Sequence, residues 1–518
     1  MRLGLAALLL AAVWLGALGV RPLYKTDESR YAEIPREMVA SGDWLTPRLN
    51  GFKYFEKPPL QYWATAAFFE AFGERDWAAR LWTALTALAG IALAYAFANR
   101  VYGAPAGLLA AAILVASPLY VLLGQINTLD MGVSFFLSAA IFAFALGRMV
   151  WFWIACALAV LSKGLIGIVL PAGAIGVYIL ARWDWALLKR MKLFSGGLLF
   201  LAIAAPWFIA VSLANTEFFH FFFIQEHFQR FTTRIHGRYQ PMWYFLPILA
   251  AGIAPWLLLL VPALRRSLPT KRDGQFDTPL FLAIWALLVF AFFSVSSSKL
   301  PSYILPIFPP LAVLAGGWLA AERPRRLLAL QAGIVALAAA LGAALAPRYG
   351  AAYAAFMPWL SGALAVLAAG ALAAAFLAWR ARPQSSVLAL AAGTFLCCQI
   401  ALAGHGALAA RFSVASLVER AGPIPADAAV YTVDAYDHTI PWYLRRTVTM
   451  VHYKDELDKA IEWEPHKFVP DEAAFAAAWT RSGQAYAFIP LRDYERLSRE
   501  LPMTEVGRDP RFVLVKKK

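Results

Sequence analysis

Residues 24–63 read YKTDESRYAEIPREMVASGDWLTPRLNGFKYFEKPPLQYW. The stretch follows a hydrophobic run and is too polar to sit in a membrane, yet it is crowded with aromatic side chains. Its acidic start at Asp27 and Glu28 suits a helix N-terminus, where carboxylates cap backbone N–H groups and oppose the helix dipole. Tyr31, Ile34, Met38 and Val39 recur at near-helical spacing, while Arg30, Glu33 and Glu37 fall on other faces. Gly42 ends this helix. A second helix is predicted after Lys57-Pro58-Pro59, because proline suits a first turn; it carries Leu60, Trp63, Ala64 and Phe68. Aromatic-rich amphipathic helices beside a membrane span lie in the interface plane. The stretch therefore reads as a platform on the bilayer surface, holding Asp27, Glu28, Glu56 and Lys57 near headgroup depth.

The rest of the chain supplies the membrane. Of 518 residues, 61% are hydrophobic and only 15% charged, which excludes an ordinary soluble domain. Apolar runs long enough to span a bilayer recur near 3–20, 77–98, 105–122, 131–148, 149–162, 164–181, 193–213, 243–263, 279–297, 302–320, 327–346, 359–379 and 386–408, about thirteen in all. The first run, behind Arg2, reads as an uncleaved helix rather than a secretory signal. The net charge of +15 is topological and implies no nucleic-acid partner. Arg182, Lys189, Arg190 and Lys192 share one loop, and Arg265, Arg266, Lys271 and Arg272 another. Arg323, Arg325 and Arg326, then Arg380 and Arg382, mark two more. These are alternate loops, as the positive-inside rule requires. An odd span count puts the N-terminus inside and the C-terminus outside, so loops 21–76 and 214–242 face outward. Cys156, Cys397 and Cys398 all lie in apolar runs, so no disulfide framework is implied.

From about Arg411 the composition changes. AAVYTVD, VTMVHY, AYAFIPL and RFVLVKK read as strands, with SVASLVERA, DELDKAIEW, EAAFAAAWTRSG and RDYERLSREL as helices between them. The expected organisation is a membrane domain over 1–410 and a soluble α/β domain over 411–518.

Several polar residues stand where chemistry could use them. Asp27 is either a site carboxylate or a helix cap. Lys57, between aromatics and a proline pair, can bind a phosphate as a compact charge or simply anchor at the interface. Asp130, at the outer end of an apolar run, is costly unless paired or wet, and Lys163 is a candidate partner for it. In TEFFHFFFIQEHFQRFTTRIHGRYQPMWYF, the residues His220, His227 and His236 beside Glu226 leave a divalent metal open, but no ligand spacing such as HExxH is present. Arg230, Arg234 and Arg238 in the same loop better suit an anionic headgroup. Tyr303, in KLPSYIL, can donate a hydrogen bond to a phosphate or anchor at the interface.

DESRYAEIPREMVASGDW followed by YFEKPPLQYW resembles the start of the bacterial aminoarabinose transferases that modify lipid A, membrane glycosyltransferases related to the protein O-mannosyltransferases. EHFQRF, HGRYQPMWYF and KLPSYIL are similar to later family segments, and the likeness runs to about residue 320. The resemblance implies a polytopic α-helical protein of the GT-C fold, in the inner membrane, with its site and its C-terminal domain in the periplasm. It implies that Asp27 is essential and that Lys57 contacts the carrier phosphate; Tyr54, Tyr303, Arg230 and Arg238 are the further candidates for binding it. Asp130 joins Asp27 as a catalytic candidate; Glu28, Glu56, Lys163 and His236 are further candidates. The implied reaction moves 4-amino-4-deoxy-L-arabinose from an undecaprenyl-phosphate carrier to a lipid A phosphate, inverting the sugar, with no certain cofactor. A protein or another glycolipid as acceptor is the alternative, and a lipid-headgroup flippase a lesser one. A flippase would place functional charges in mid-membrane spans, whereas here they gather at the outer ends, among membrane lipids.

Overall fold

The computed structural model describes residues 2–229, 239–268, 276–349 and 353–518, with backbone alone at 2–3 and 227–229. The chain forms two compact units: Met1–Ala17, Glu56–Gln61 and Leu81–Gly404 make the first, and Leu18–Phe55, Tyr62–Arg80 and His405–Lys518 the second.

The first unit is helical. Each apolar run read from the sequence coincides with a helix or a helix pair. Among the described residues, seven helices are long and apolar enough to cross a membrane: Asp76–Tyr102, Leu193–Ala214, Thr278–Val295, Pro301–Glu322, Arg325–Arg348, Met357–Trp379 and Pro383–Arg411. Phe245–Gly252 and Ala254–Arg266 meet at 77° and could form an eighth span. The remaining five, from Gly4–Gly19 to Ile166–Arg182, are shorter apolar helices. Length thus marks seven or eight crossings where the sequence suggests about thirteen. Leu287, Trp379 and Phe194 lie 70–82% exposed on these helices, an arrangement that suits lipid rather than water. The chain is a multi-pass membrane protein. Its helices approach closely where glycines allow: a Cβ on Gly370 would sit 2.7 Å from the Gly393 Cα, the small-residue contact typical of membrane helix pairs.

The second unit holds the sheet. A hairpin pairs β1 (Arg48–Leu49) with β2 (Phe52–Lys53). The tail contributes β3 (Ala429–Val433), β4 (Thr449–Val451), β5 (Phe468–Val469), β6 (Ala485–Pro490), β7 (Met503–Arg508) and β8 (Phe512–Lys517), in the order β5-β4-β3-β6-β8-β7. β5, β4, β3 and β6 run parallel, and β8 and β7 are added antiparallel. Both faces are buried. Tyr431, Val433 and Ala487 pack with Phe475 and Trp479 on one side, and Val430, Phe488 and Leu514 with Leu417 and Ile440 on the other. The four strands read from the tail sequence are present; the two-residue β5 and the polar edge strand β7 have no such signature.

The helix Asp27–Ser41 ends where expected, Gly42 taking φ +72° and donating to the Met38 carbonyl. Its surroundings correct the sequence reading. Every residue from Glu28 to Met38 is buried, including Arg30, Glu33, Arg36 and Glu37. This is not an amphipathic helix with a wet polar face. Periodicity located the apolar stripe, but the polar residues are covered too, because ion pairs compensate their desolvation.

Candidate functional site

In the second unit, the helix start is built around Glu28. Its carboxylate accepts from Arg21 Nη1 at 2.5 Å and Nη2 at 3.0 Å, from Arg80 Nε at 2.8 Å and Nη2 at 3.2 Å, and from the Tyr24 amide at 3.2 Å. Arg80 also donates to the carbonyls of Leu18, Arg21 and Pro22. Burial works to raise the Glu28 pKa, but the two guanidiniums outweigh it and hold the carboxyl well below the usual range. Glu28 is thereby tied into the scaffold.

Asp27 stands differently. Its side chain is 42% exposed, and its Oδ1 accepts from Arg30 Nη1 at 3.1 Å, one helical turn on. Thr26 occupies the N-cap and makes no side-chain cap bond. The carboxylate therefore lies at the first turn, held by one arginine and open on another side. Arg30 is itself buried and donates to Glu456 at 2.5 and 3.1 Å. Tyr54, 2% exposed, is one of the groups whose charge would favour the Arg30 cation, after burial opposes it.

Two further carboxylates lie deeper along the same helix. Glu33 is paired to Arg36 at 2.5 and 2.7 Å. Glu37, a turn further, accepts from the Gly51 amide at 2.8 Å. Burial, then the neighbouring Glu33, push the Glu37 pKa up to about 8, so Glu37 holds its proton near neutral pH.

In the first unit, Lys57 Nζ donates to the Glu56 carbonyl at 2.8 Å and faces two carboxylates, Glu56 Oε2 at 3.6 Å and Glu226 Oε2 at 3.5 Å. Glu226 is buried and comes from the helix His220–Gln229, far along the chain. A second cluster joins Asp130, in the first turn of Leu129–Ala145, to Lys163, at the end of Met149–Lys163. Lys163 is ion-paired to Asp130 and lies 4.5 Å over the Tyr303 ring. The Tyr303 ring also meets Phe293 at 5.1 Å. Its hydroxyl makes no hydrogen bond among the described residues, which leaves it available to a ligand.

The two segments are connected by residues the sequence reading did not single out. Gln61 Nε2 donates to Asn127 Oδ1 at 2.9 Å, both side chains buried. Gln61 follows Lys57 by four residues and Asn127 precedes Asp130 by three, so this bond ties the lysine segment to the aspartate segment. Buried amides near charged candidates were the available signal. Lys299 is spent otherwise: it is buried and donates to the carbonyls of Gln240 at 2.9 Å and Ser296 at 2.5 Å. Arg230, Arg234, His236 and Arg238 lie outside the described residues. Among the described residues, no group of three or more His, Cys, Asp or Glu side chains converges as a metal site.

Within the first unit, Asp130, Lys163 and Tyr303 thus gather at helix ends rather than mid-span. Two family models match the chain: the aminoarabinose transferase C-terminal domain over residues 416–517, and the dolichyl-phosphate-mannose-protein mannosyltransferase over residues 56–209. The chain is 36% identical over 312 residues to an undecaprenyl phosphate-alpha-4-amino-4-deoxy-L-arabinose arabinosyl transferase of Aeromonas hydrophila, covering 57% of this chain and 56% of that protein. It is equally identical over 322 residues to such a transferase of Proteus mirabilis, covering 60% and 57%. These matches span a little over half the length of the curated relatives. Structural likeness extends further. ArnT from Cupriavidus metallidurans, solved bound to undecaprenyl phosphate, superposes with a TM-score of 0.94 at 37% identity, covering 99% of this chain and 98% of that one. The apo form gives 0.91 at 36% identity. A likeness of this depth over the full length of both chains means that this chain belongs to the aminoarabinose transferase family.

Proposed function

We propose that the chain is an inner-membrane glycosyltransferase that moves 4-amino-4-deoxy-L-arabinose from undecaprenyl phosphate to a phosphate of lipid A at the periplasmic face. The observation that carries this reading is the full-length likeness to a transferase solved with undecaprenyl phosphate. The chain's domains are then a membrane part over 1–410 and a periplasmic tail over 411–518.

The chemistry asks for positioning and charge. An oxygen of the acceptor phosphate attacks C1 of the sugar, the C1–O bond to the carrier breaks, and its electron pair leaves with the carrier phosphate. A single displacement inverts C1, and no proton need move. Lys57 binds the carrier phosphate and offsets the charge that develops on it, with Tyr303 as hydrogen-bond donor. Tyr54, Arg230 and Arg238 are the further candidates for binding that phosphate. Asp27, held by Arg30, is a catalytic candidate that orients the sugar; Asp130, held by Lys163, is the other catalytic candidate. An acceptor hydroxyl would instead need Asp27 as a general base.

The match of residues 56–209 to a protein mannosyltransferase model favours one second reading, with the same donor class and a protein or other glycolipid as acceptor. Mass spectrometry of lipid A from cells with and without the chain separates them. The proposed reaction adds the mass of one aminoarabinose residue to a lipid A phosphate only when the chain is present. Unmodified lipid A beside a newly glycosylated protein would establish the second reading instead.

A further inference from the structure

We propose that the α/β sheet of the tail carries a saccharide-binding site at the carboxyl ends of β3 and β6, independent of the transfer reaction read above. All its residues belong to the second unit. Two observations meet there. The order β5-β4-β3-β6 sends the chain from β3 out through β4 and β5 on one side, then back to β6 on the other. β3 and β6 therefore flank a topological switch point, and open parallel sheets bind their ligands outside the carboxyl ends of the strands at such a point. The second observation is a cavity of about 430 Å³ at that place. It is lined by Asp434 after β3, Tyr453 after β4, Leu491 and Arg492 after β6, and Arg511 and Phe512 at the start of β8. Small-molecule sites occupy roughly 300–1,000 Å³.

The lining decides the ligand. Residues 434–438, which follow β3, include no glycine. The backbone there does not admit the close approach of a pyrophosphate that dinucleotide-binding sheets of this strand order make. The charges around the cavity are already compensated. Arg492 pairs with Asp493 at 3.1 Å, Arg511 with Asp437 and, at 3.5 Å, with Asp509, and Asp434 is hydrogen-bonded to His452 at 2.7 Å. A free anion gains little from guanidiniums that carboxylates already hold. A polyhydroxyl gains from both kinds of group, since each hydroxyl donates to a carboxylate and accepts from an N–H. Arg492 is the accessible donor, its side chain 75% exposed. Behind it, Arg511 Nε and Nη2 make no hydrogen bond among the described residues, so the wall holds donors that the fold itself does not use. Tyr453, Leu491 and Phe512 supply the apolar part of the wall, against which the C–H face of a sugar ring packs. Apolar wall and few polar groups together are the usual make-up of a small-molecule site.

The test is saturation-transfer NMR on the full-length protein, in a detergent without a sugar headgroup. The probes are the methyl glycosides of glucose, galactose, mannose and L-arabinose, with inorganic phosphate as competitor. At least one glycoside should bind saturably, and phosphate should not displace it. Arg492→Gln should weaken that glycoside roughly 10-fold by losing a charge-assisted contact, and its exposure means that folding is unaffected. Ala435→Leu, at another lining position, should remove binding by filling the cavity while every polar group stays in place. The same glycoside on a dodecyl chain, presented in the micelles, separates two sources of the sugar. Displacement of the methyl glycoside puts the site within reach of a lipid-borne headgroup, and no displacement makes the ligand a soluble saccharide; either upholds the site. The proposal is overturned if none of the four glycosides binds saturably, if phosphate displaces the one that does, or if both variants bind it as wild type does.

Discussion

Glu28→Gln tests the claim that a buried ion cluster, rather than the apolar stripe alone, holds the first helix in place. The substitution keeps size and shape but removes the charge that two buried guanidiniums share. Arg21 and Arg80 donate to the native carboxylate at both of its oxygens, and the Tyr24 amide donates to it as well. The glutamine can still accept at one oxygen, but its amide turns two donors toward guanidinium donors. Removing one partner of a buried pair costs about 3–5 kcal/mol, because the other charge stays buried and uncompensated. For a unit on the order of 150–250 residues, each kcal/mol lowers the melting temperature by about 2–4 °C. The expected shift is therefore roughly 10 °C, read in detergent by intrinsic tryptophan fluorescence, to which Trp442 and Trp479, buried in the same unit, contribute. The pH dependence supplies a check. The folded pKa of Glu28 is depressed, so its contribution is fully present above the unfolded value of about 4.3 and is lost only as pH falls through the folded value. The difference between wild type and Glu28→Gln should thus be constant from pH 8 to pH 5 and shrink only in strong acid. A melting temperature within 2 °C of wild type at pH 7 would refute the reasoning and return the helix to its apolar contacts alone.

Glu37 should behave with the opposite sign. Its raised pKa of about 8 means stability is greatest below about pH 4.3 and declines as pH rises toward and through 8; Glu37→Gln should flatten that slope in melts taken from pH 5 to pH 9, and an unchanged slope would count against a protonated Glu37. Lys57→Ala should weaken binding of undecaprenyl phosphate roughly 10- to 100-fold by losing a charge-assisted contact, and Lys57→Arg should recover little because a forked guanidinium does not replace a compact ammonium; near-normal binding by the alanine variant would make Lys57 an interfacial anchor. Asp27→Asn should lower transfer about 10- to 100-fold while the acidic limb of the pH–rate profile stays in place, as expected for a residue that orients the sugar rather than removes a proton; wild-type turnover by this variant would end any chemical role for Asp27.

The fold class was legible because its signals are local. A bilayer demands long apolar runs whose backbone bonds are satisfied within each helix, and those runs were readable one by one from Leu193–Ala214 to Pro383–Arg411. Gly42 marked a helix end because a left-handed residue is needed there and only glycine adopts that conformation without strain. The parallel strands β3, β4 and β6 of the tail were visible as short apolar runs, since a strand buried on both faces can carry little else. The motif around Asp27 and Lys57 was likewise contiguous, and contiguity let a resemblance point to both residues.

What the sequence could not disclose is which charges meet. Arg80 approaches Glu28 from 52 residues away, and Glu226 reaches Lys57 from the helix His220–Gln229. Nothing in the spacing of those residues specifies such a partner, because a charged side chain is read as solvated until a distant segment covers it. Periodicity therefore placed Glu33 and Glu37 on a polar face, and only the packed structure shows them buried beside Arg36 and the Gly51 amide. The sequence alone determined the membrane helices, the tail's strands and the candidate residues, through local length, hydropathy and turn chemistry. The tertiary structure decided how each candidate is held: Glu28 is buried between two guanidiniums, whereas the Asp27 side chain is 42% exposed. The cost of burying a charge is settled by the neighbours that long-range folding brings to it.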